Sequence, residues 1–399
     1  MTTTEVIDLV GLGEEFLRNP FPFYAELRAR GPVHRVRIPG GFEAWLVVGY
    51  EEGRAALADP RLSKRLDAAA PTVPVITSAA GSHILNSDPP DHSRLRKLVT
   101  MAFTPRRIER LEPRVQAITD ELLDDMLARP EGRADLVDAF SFPLPITVIC
   151  ELVGVPQLDR AIFRGWVNDQ ISHPDVESRR AATAAISGYI AELIADKRRD
   201  PGEDLISGLI RTADEDGDRL SFDELRGTAW LLLVAGHETT VNLISNGVHA
   251  LLTHPNQLAA LRADMSLLGN AVEEILRYDG PLEIPTFRFT TEPTDIGGVV
   301  VPGGGQVVVI SLADAGRDPA KFPEPDRFDI RRSAHGHLGF GHGIHFCLGA
   351  GLARMEARVA IGSLLRRCPD LALDVHPAAI DWRRAMPVRG PRSLPVRWA

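Results

Sequence analysis

Apolar residues recur at three- and four-residue spacing along most of this 399-residue chain, the period of helices with one buried face. The pattern is plainest in RIERLEPRVQAITDELLDDML (107–127) and AAISGYIAELIADKRR (184–199). Strand signals are short and local. VHRVRI (33–38) and AWLVVG (44–49) flank the turn PGGFE, and TDIGGVVVPGGGQVVVIS (294–311) reads as short strands joined by glycine turns. The expected fold is mainly α with a minor β portion at each end. No repeat or low-complexity tract interrupts it, and the Pro/Gly-rich stretches 71–74 and 302–305 run directly into patterned sequence. Residues 1–399 are therefore expected to form a single domain, helix-rich with a small β subdomain.

The longest helical candidate is SFDELRGTAWLLLVAGHETTVNLISNGVHALLTHP. Ser221 and Glu224 have the spacing of a capping box, and Pro255 closes the segment. A helix over 221–253 would run about 50 Å at ~1.5 Å per residue, long enough to cross a domain. Its flanks are Leu and Val, yet its middle carries AGHETT. Burying that carboxylate and those hydroxyls unpaired costs roughly 1–3 kcal/mol each, so they need partners or a purpose.

Composition narrows the function classes. Hydrophobic residues make up 44% and charged residues 25%, an ordinary globular balance able to bury a large core. The formal net charge of −9, with no basic run, argues against nucleic-acid binding. The N-terminus lacks the basic and apolar regions of a secretory signal, and no stretch approaches the ~20 apolar residues of a membrane span. A cytoplasmic protein with no membrane partner is expected. The three cysteines, at 150, 347 and 368, show no C-x-x-C spacing and do not suggest a disulfide framework.

Cys347 lies in HLGFGHGIHFCLGAGLARMEARVA (337–360), among glycines and histidines at the mouth of a helix. From the residues alone it reads as a zinc ligand beside His342 and His345, a nucleophile, a haem ligand or a buried thiol. The zinc reading lacks a second ligand pair, and the nucleophile lacks a local signature. A buried thiol suits Cys150 and Cys368 but leaves the glycines around Cys347 unexplained.

The run Phe340-Gly341-His342-Gly343-Ile344-His345-Phe346-Cys347-Leu348-Gly349 resembles F-G-x-G-x-H-x-C-x-G, the cysteine loop of the cytochrome P-450 superfamily of haem-thiolate monooxygenases. Three further stretches carry the resemblance in the right order. AGHETT is similar to the acid-alcohol segment of the long central helix, and Glu274 with Arg277 resembles the E-x-x-R pair, with Arg327 of PDRF as its third member. DHSRLR (91–96) resembles the helix that holds a haem propionate, His92 and Arg96 lying one turn apart on a shared face. The likeness runs from about Pro20 to the C-terminus and is strongest to actinobacterial hydroxylases of macrolides and other polyketides. One departure is Gly316 before Arg317, where the family often has Asn.

The resemblance implies a cytochrome P-450 fold with haem b, iron protoporphyrin IX, between the central helix and the cysteine loop. Cys347 would be the metal ligand, with Phe340, Gly341, Gly349 and Ala235 against the cofactor. His92, Arg96, Arg288 and His345 would hold its propionates, and Thr239 and Glu238 would deliver protons to dioxygen. Without the resemblance, Glu238 also reads as a plain helix residue and Arg288 as an exposed strand residue. Electrons would come from a ferredoxin and its ferredoxin reductase. Arg94, Lys97, Arg106, Arg107 and Arg110 offer either a docking face for an acidic ferredoxin or a merely solvated basic face. In the family the segment 62–87 lies over the pocket; here it has one acid, Asp67, and no Phe, Trp or Tyr. That favours a bulky, neutral, apolar small molecule, hydroxylated or epoxidised. Ile84, Leu85, Leu232, Ala235, Leu282, Ile284, Pro285 and Met386 are candidate pocket walls, equally expected as core. The competing function is a haem-thiolate binding or sensor protein, which has no use for the Glu238 and Thr239 pair.

Overall fold

A computed structural model describes residues 6–38, 41–71, 73, 82–156, 162–163, 165–166, 169, 175–215, 220–383 and 388–398. The central helix, Phe222–Thr253, spans 32 residues. It starts as its sequence dictates: Ser221 accepts from the Glu224 amide at 3.2 Å, and the Ser221 amide donates to Glu224 Oε2 at 2.8 Å. His254 ends it, ahead of Pro255. Around it pack the helices Pro143–Val153, Val176–Arg199, Leu268–Tyr278 and Ala350–Arg367, while Pro105–Leu127 lies against the last of these. Their apolar stripes merge into one large core, including Ile149, Val241, Ile244, Ile275 and Ile361. Among the described residues no helix is long and apolar enough to cross a membrane.

The β portion differs from the expectation in one respect. Val33–Arg37 and Glu43–Val47 form the expected antiparallel pair, and Thr294–Ile296 pairs with Val299–Val301. Val307–Ile310, however, leaves its neighbours in sequence and pairs in parallel with Glu43–Val47. The two ends of the chain thereby share a six-stranded sheet that also contains Ile7–Asp8, Arg288–Thr290 and Leu62–Ser63. All four residues of Val307–Ile310 are buried. A strand apolar on both faces is stable only in a sheet interior, and the N-terminal strands supply that environment. The same sheet brings the Arg288 guanidinium to the carbonyls of Leu57 and Leu62.

Candidate active site

Glycines shape the Cys347 loop. Gly341 and Gly343 both adopt φ of 75°, in the left-handed region, and a Cβ at Gly343 would lie 3.1 Å from Ala58 Cα. One 3-10 turn, Gly343–His345, folds the chain back so that the Cys347 amide donates to the Phe340 carbonyl at 2.9 Å. The helix Ala350–Arg367 begins three residues later, and the Gly349 amide donates to the Cys347 sulfur. Burial pushes the thiol above its ordinary value, opposed by that amide and by the guanidiniums of Arg96 and Arg354. Arg354 lies 4.4 Å over the Phe340 ring and is bound through Glu273, 2.6 Å from its Nε.

Beside the loop is a group of cations and imidazoles. The rings of His92 and His345 have centroids 4.4 Å apart. His92 is buried, and neither of its ring nitrogens has a hydrogen-bond partner among the described residues. His345 is pushed down to about 2 by burial and then by Lys64, His92, Arg288 and Arg96. Arg288 is buried rather than an exposed strand residue: it donates to the Leu57 carbonyl at 2.9 Å and leaves Nε unpartnered. Burial lowers its pKa to about 10. Sequence reasoning missed Lys64. It is buried, donates to the carbonyls of Thr286 (3.0 Å) and Phe287 (2.8 Å), and is held well below the usual lysine range by burial and then by Arg288. Nothing local in LSKRLD marks this lysine as interior.

On the central helix, AGHETT divides between two environments. Ala235 is exposed and Thr239 half-buried although most of their neighbours are buried, so one face of the helix is open there. The Thr239 hydroxyl donates back to the Ala235 carbonyl at 2.9 Å. Glu238, one residue earlier and so about 100° around the helix, is only 3% exposed. Its Oε1 lies 2.8 Å from Arg383 Nη1 and 3.4 Å from the Asn242 amide. His237 is buried, bonds through Nδ1 to the Leu233 carbonyl at 3.0 Å, and is kept neutral by burial. The acid and the alcohol therefore do not share a face.

Below them Glu274 and Arg277 form a fully buried bidentate pair, at 2.6 and 2.8 Å. Arg277 also donates to the carbonyls of Gly316 (2.8 Å), Pro325 (2.7 Å) and Arg327 (3.2 Å). The expected third member needs correction. The Arg327 side chain is 57% exposed and turned to Glu324 and Asp329, so Arg327 contributes only its carbonyl. The guanidinium that reaches Glu274 is that of Arg332, 3.5 Å away and 12% exposed. Gly316 has its own reason: a Cβ there would fall 2.3 Å from the Arg277 carbonyl.

The Cytochrome P450 family model matches residues 161–374. The cytochrome P450 monooxygenase PikC of Streptomyces venezuelae is 58% identical, over 98% of this chain and 94% of its own. The chain belongs to the cytochrome P450 family. The 6-deoxyerythronolide B hydroxylase of Saccharopolyspora erythraea is 46% identical, over 94% of this chain and 95% of its own. Among solved structures, the P450 monooxygenase TamI with tirandamycin C bound aligns at a TM-score of 0.91 and 45% identity, over 98% of this chain and all of that one.

As a P450 the protein is a monooxygenase, an oxidoreductase with a haem-thiolate cofactor that uses dioxygen, redox partners and a small-molecule substrate. The residues present fit that cofactor. Lys64, Arg96 and Arg288 are buried or half-buried, and beside them only Asp88 and the Arg61-bound Asp59 act on Arg288 as anions. Uncompensated buried charge is costly, and a group carrying two carboxylates would neutralise it while satisfying the orphaned His92 nitrogens. A half-buried cysteine whose sulfur faces an amide donor is equally suited to a metal, which binds the thiolate.

The expected walls separate. Leu85, Leu232, Leu282 and Pro285 are half-buried. Ile84 is buried in the main helical core, and Ile284, 1% exposed, packs with Tyr24 and Phe289 against the sheet. Both sit in packed cores, which the sequence does not reveal because an apolar residue reads the same in a wall as in a core. Met386 lies outside the described residues. Of the basic residues proposed for docking, Lys97, Arg106, Arg107 and Arg110 are exposed, while Arg94 is engaged by Glu224.

Proposed function

We propose that this P450 inserts one oxygen atom of O2 into a bulky, neutral, largely apolar molecule of the macrolide or polyketide kind. Haem b bound between Cys347 and Ala235 supplies the centre at which dioxygen is reduced. The overall change is R–H + O2 + 2 e− + 2 H+ → R–OH + H2O, with epoxidation as the equivalent at a double bond. The electrons come from a ferredoxin and its ferredoxin reductase, the exposed Lys97, Arg106, Arg107 and Arg110 forming the face that an acidic ferredoxin would meet. The protein acts as one cytoplasmic domain.

Each residue has a stated task. Cys347 Sγ would bind the iron, with the Gly349 amide drawing negative charge from the sulfur. His92, Arg96, Arg288 and His345 would hold the propionates, with Lys64 beside them. Phe340, under Arg354, would pack against the cofactor, and Gly341 and Gly349 would let the backbone approach it. Thr239 exchanges its bond to the Ala235 carbonyl for one to a reacting oxygen or a water, which frees that carbonyl as a second acceptor. Glu238 passes protons inward, and Leu85, Leu232, Leu282 and Pro285 keep the substrate side dry.

The observation that carries this reading is the open face at Ala235 and Thr239 in the middle of a helix that is largely buried from Glu238 to Leu251. A binding protein needs no hydroxyl there. The macrolide assignment is supported by the relatives named above and by the single acid in the segment 62–87, Asp67, which is exposed and paired with Arg65. Titrating holoenzyme with a panel of macrolactones, linear polyketides and terpenoids, read by the Soret shift, tests it. Turnover with a surrogate ferredoxin and reductase should then give products heavier by one oxygen. Shifts and products only with small terpenoids would overturn the substrate class.

A further inference from the structure

Glu238 is not aimed at the open face, and what it is aimed at can be specified. Arg383 Nη1 lies 2.8 Å from Glu238 Oε1, with side chains 13% and 3% exposed. No other cation takes this carboxylate among the described residues. His237 Nε2 is 3.6 Å from Oε2, but this ring is neutral and its Nδ1 serves the Leu233 carbonyl. Asn242 adds an amide at 3.4 Å.

Arg383 is held by its own segment, which packs on the central helix. Its amide donates to the Gly390 carbonyl at 3.0 Å, within the hairpin closed by the Trp382–Pro391 bridge. Gly390 presses on the central helix so closely that a Cβ would fall 2.0 Å from Asn242 Oδ1, one turn after Glu238. Asn246, another turn on, donates to the Arg389 carbonyl at 3.1 Å. The same hairpin is tied to the proposed substrate wall through the Leu282–Val388 bridge and the Arg389 amide to the Pro281 carbonyl, 2.9 Å.

We propose that Arg383 is the positioning residue for Glu238: its ion pair holds the buried carboxylate one side-chain rotation from the Thr239 face, ready to carry protons inward. The inference rests on Glu238 being the proton-relaying acid. A lone carboxylate at this depth would be expensive, and without Arg383 it has no fixed starting place. With Arg383, leaving the pair and returning to it gives the acid two defined positions. The link to Leu282 and Pro281 places a substrate's contact on the hairpin that carries Arg383.

The test uses the haem-loaded protein with a surrogate ferredoxin and reductase. Arg383→Ala is expected to retain haem and the substrate-induced Soret shift, to lower kcat on the order of ten- to a hundredfold, and to divert NADH to hydrogen peroxide. Arg383→Lys should restore most of the coupling, which a merely structural arginine would not require. Glu238→Gln should show the same loss, and the double variant no further loss. Melting temperatures should be non-additive in the same way, since removing either partner breaks the same contact. Additive effects on kcat and melting, or unchanged coupling in both Arg383 variants, overturn the positioning role. A Glu238→Gln enzyme with normal kcat overturns the underlying assignment of the acid instead. Should Arg383→Ala not fold, Arg383→Gln carries the same comparison.

Discussion

Arg332, not Arg327, is the second guanidinium to approach the buried Glu274–Arg277 pair: its Nε is 3.5 Å from Glu274 Oε1, while the Arg327 guanidinium is turned to Glu324 and Asp329 at the surface. Glu274 is fully buried and also accepts from the Asp329 amide at 2.9 Å. Arg332→Ala should therefore destabilise the protein by about 1–2 kcal/mol, less than a broken buried pair because Glu274 keeps its bidentate Arg277. Arg327→Ala should cost well under 1 kcal/mol, as for exposed pairs. Chemical denaturation of the two holoenzymes decides it, and the opposite ranking would restore Arg327.

Cys347 should be indispensable for the thiolate spectrum. The reduced protein under carbon monoxide is expected to show a strongly red-shifted Soret band, absent from Cys347→Ala and Cys347→His. Cys150→Ala and Cys368→Ala should keep it, because both cysteines are buried in the helical core. Retention of the band in Cys347→Ala would move the ligand elsewhere.

What was legible in the sequence was local. The central helix begins at the expected capping box and stops at the expected proline, since both signals act within one turn. The Cys347 turn likewise follows from glycines whose φ the structure confirms. What was hidden depends on register between distant segments. Arg383 meets Glu238 only because a C-terminal hairpin packs on Asn242, and Lys64 becomes interior only because Leu62–Ser63 pairs with Arg288–Thr290. Val307–Ile310 reads as one of several short strands joined by glycine turns until its two apolar faces are given a sheet to enter. Arg327 and Arg332 flank the same turn, and only its fold shows which one points inward.

The propionate clamp should be cooperative with haem. Arg96→Leu and His345→Leu are each expected to lower the ratio of haem to protein and the melting temperature of the holoenzyme. Arg288→Leu should do the same, since its guanidinium is buried with Nε unpartnered. Normal haem occupancy and unchanged melting in all three would remove these side chains from the site.

Glu273 should give the fold an acid limit. Burial raises its pKa, but hydrogen bonds from Arg354 and His337 outweigh that and bring it down to about 2 from the ordinary 4.5. The unfolded chain therefore takes up this proton first as pH falls. The stabilisation is fully present above about pH 4.5 and fades toward pH 2. Glu273→Gln should show a shallower decline of melting temperature across that window than the parent. An identical decline would exclude Glu273 as a contributor.

Thr239 should govern what becomes of the electrons once dioxygen is engaged. Its hydroxyl rests on the Ala235 carbonyl, on the only open stretch of the described central helix near AGHETT. Releasing that bond costs little, because a carbonyl exposed there can be met by water. The freed hydroxyl can then hold a water or donate to a reacting oxygen, which is the positioned proton donor that general acid catalysis needs. Without it protons arrive out of place, and reduced oxygen leaves as hydrogen peroxide before substrate is attacked. Thr239→Ala should therefore keep haem content and the substrate-induced Soret shift, while most NADH consumed appears as peroxide. Thr239→Ser should recover much of the coupling, since it retains the hydroxyl and loses only a methyl group. A substrate bearing its own hydroxyl near the site can replace the missing one, so the measurement calls for several ligands. Full coupling of NADH to product in Thr239→Ala across all of them would remove Thr239 from proton delivery and leave Cys347 as the haem ligand untouched.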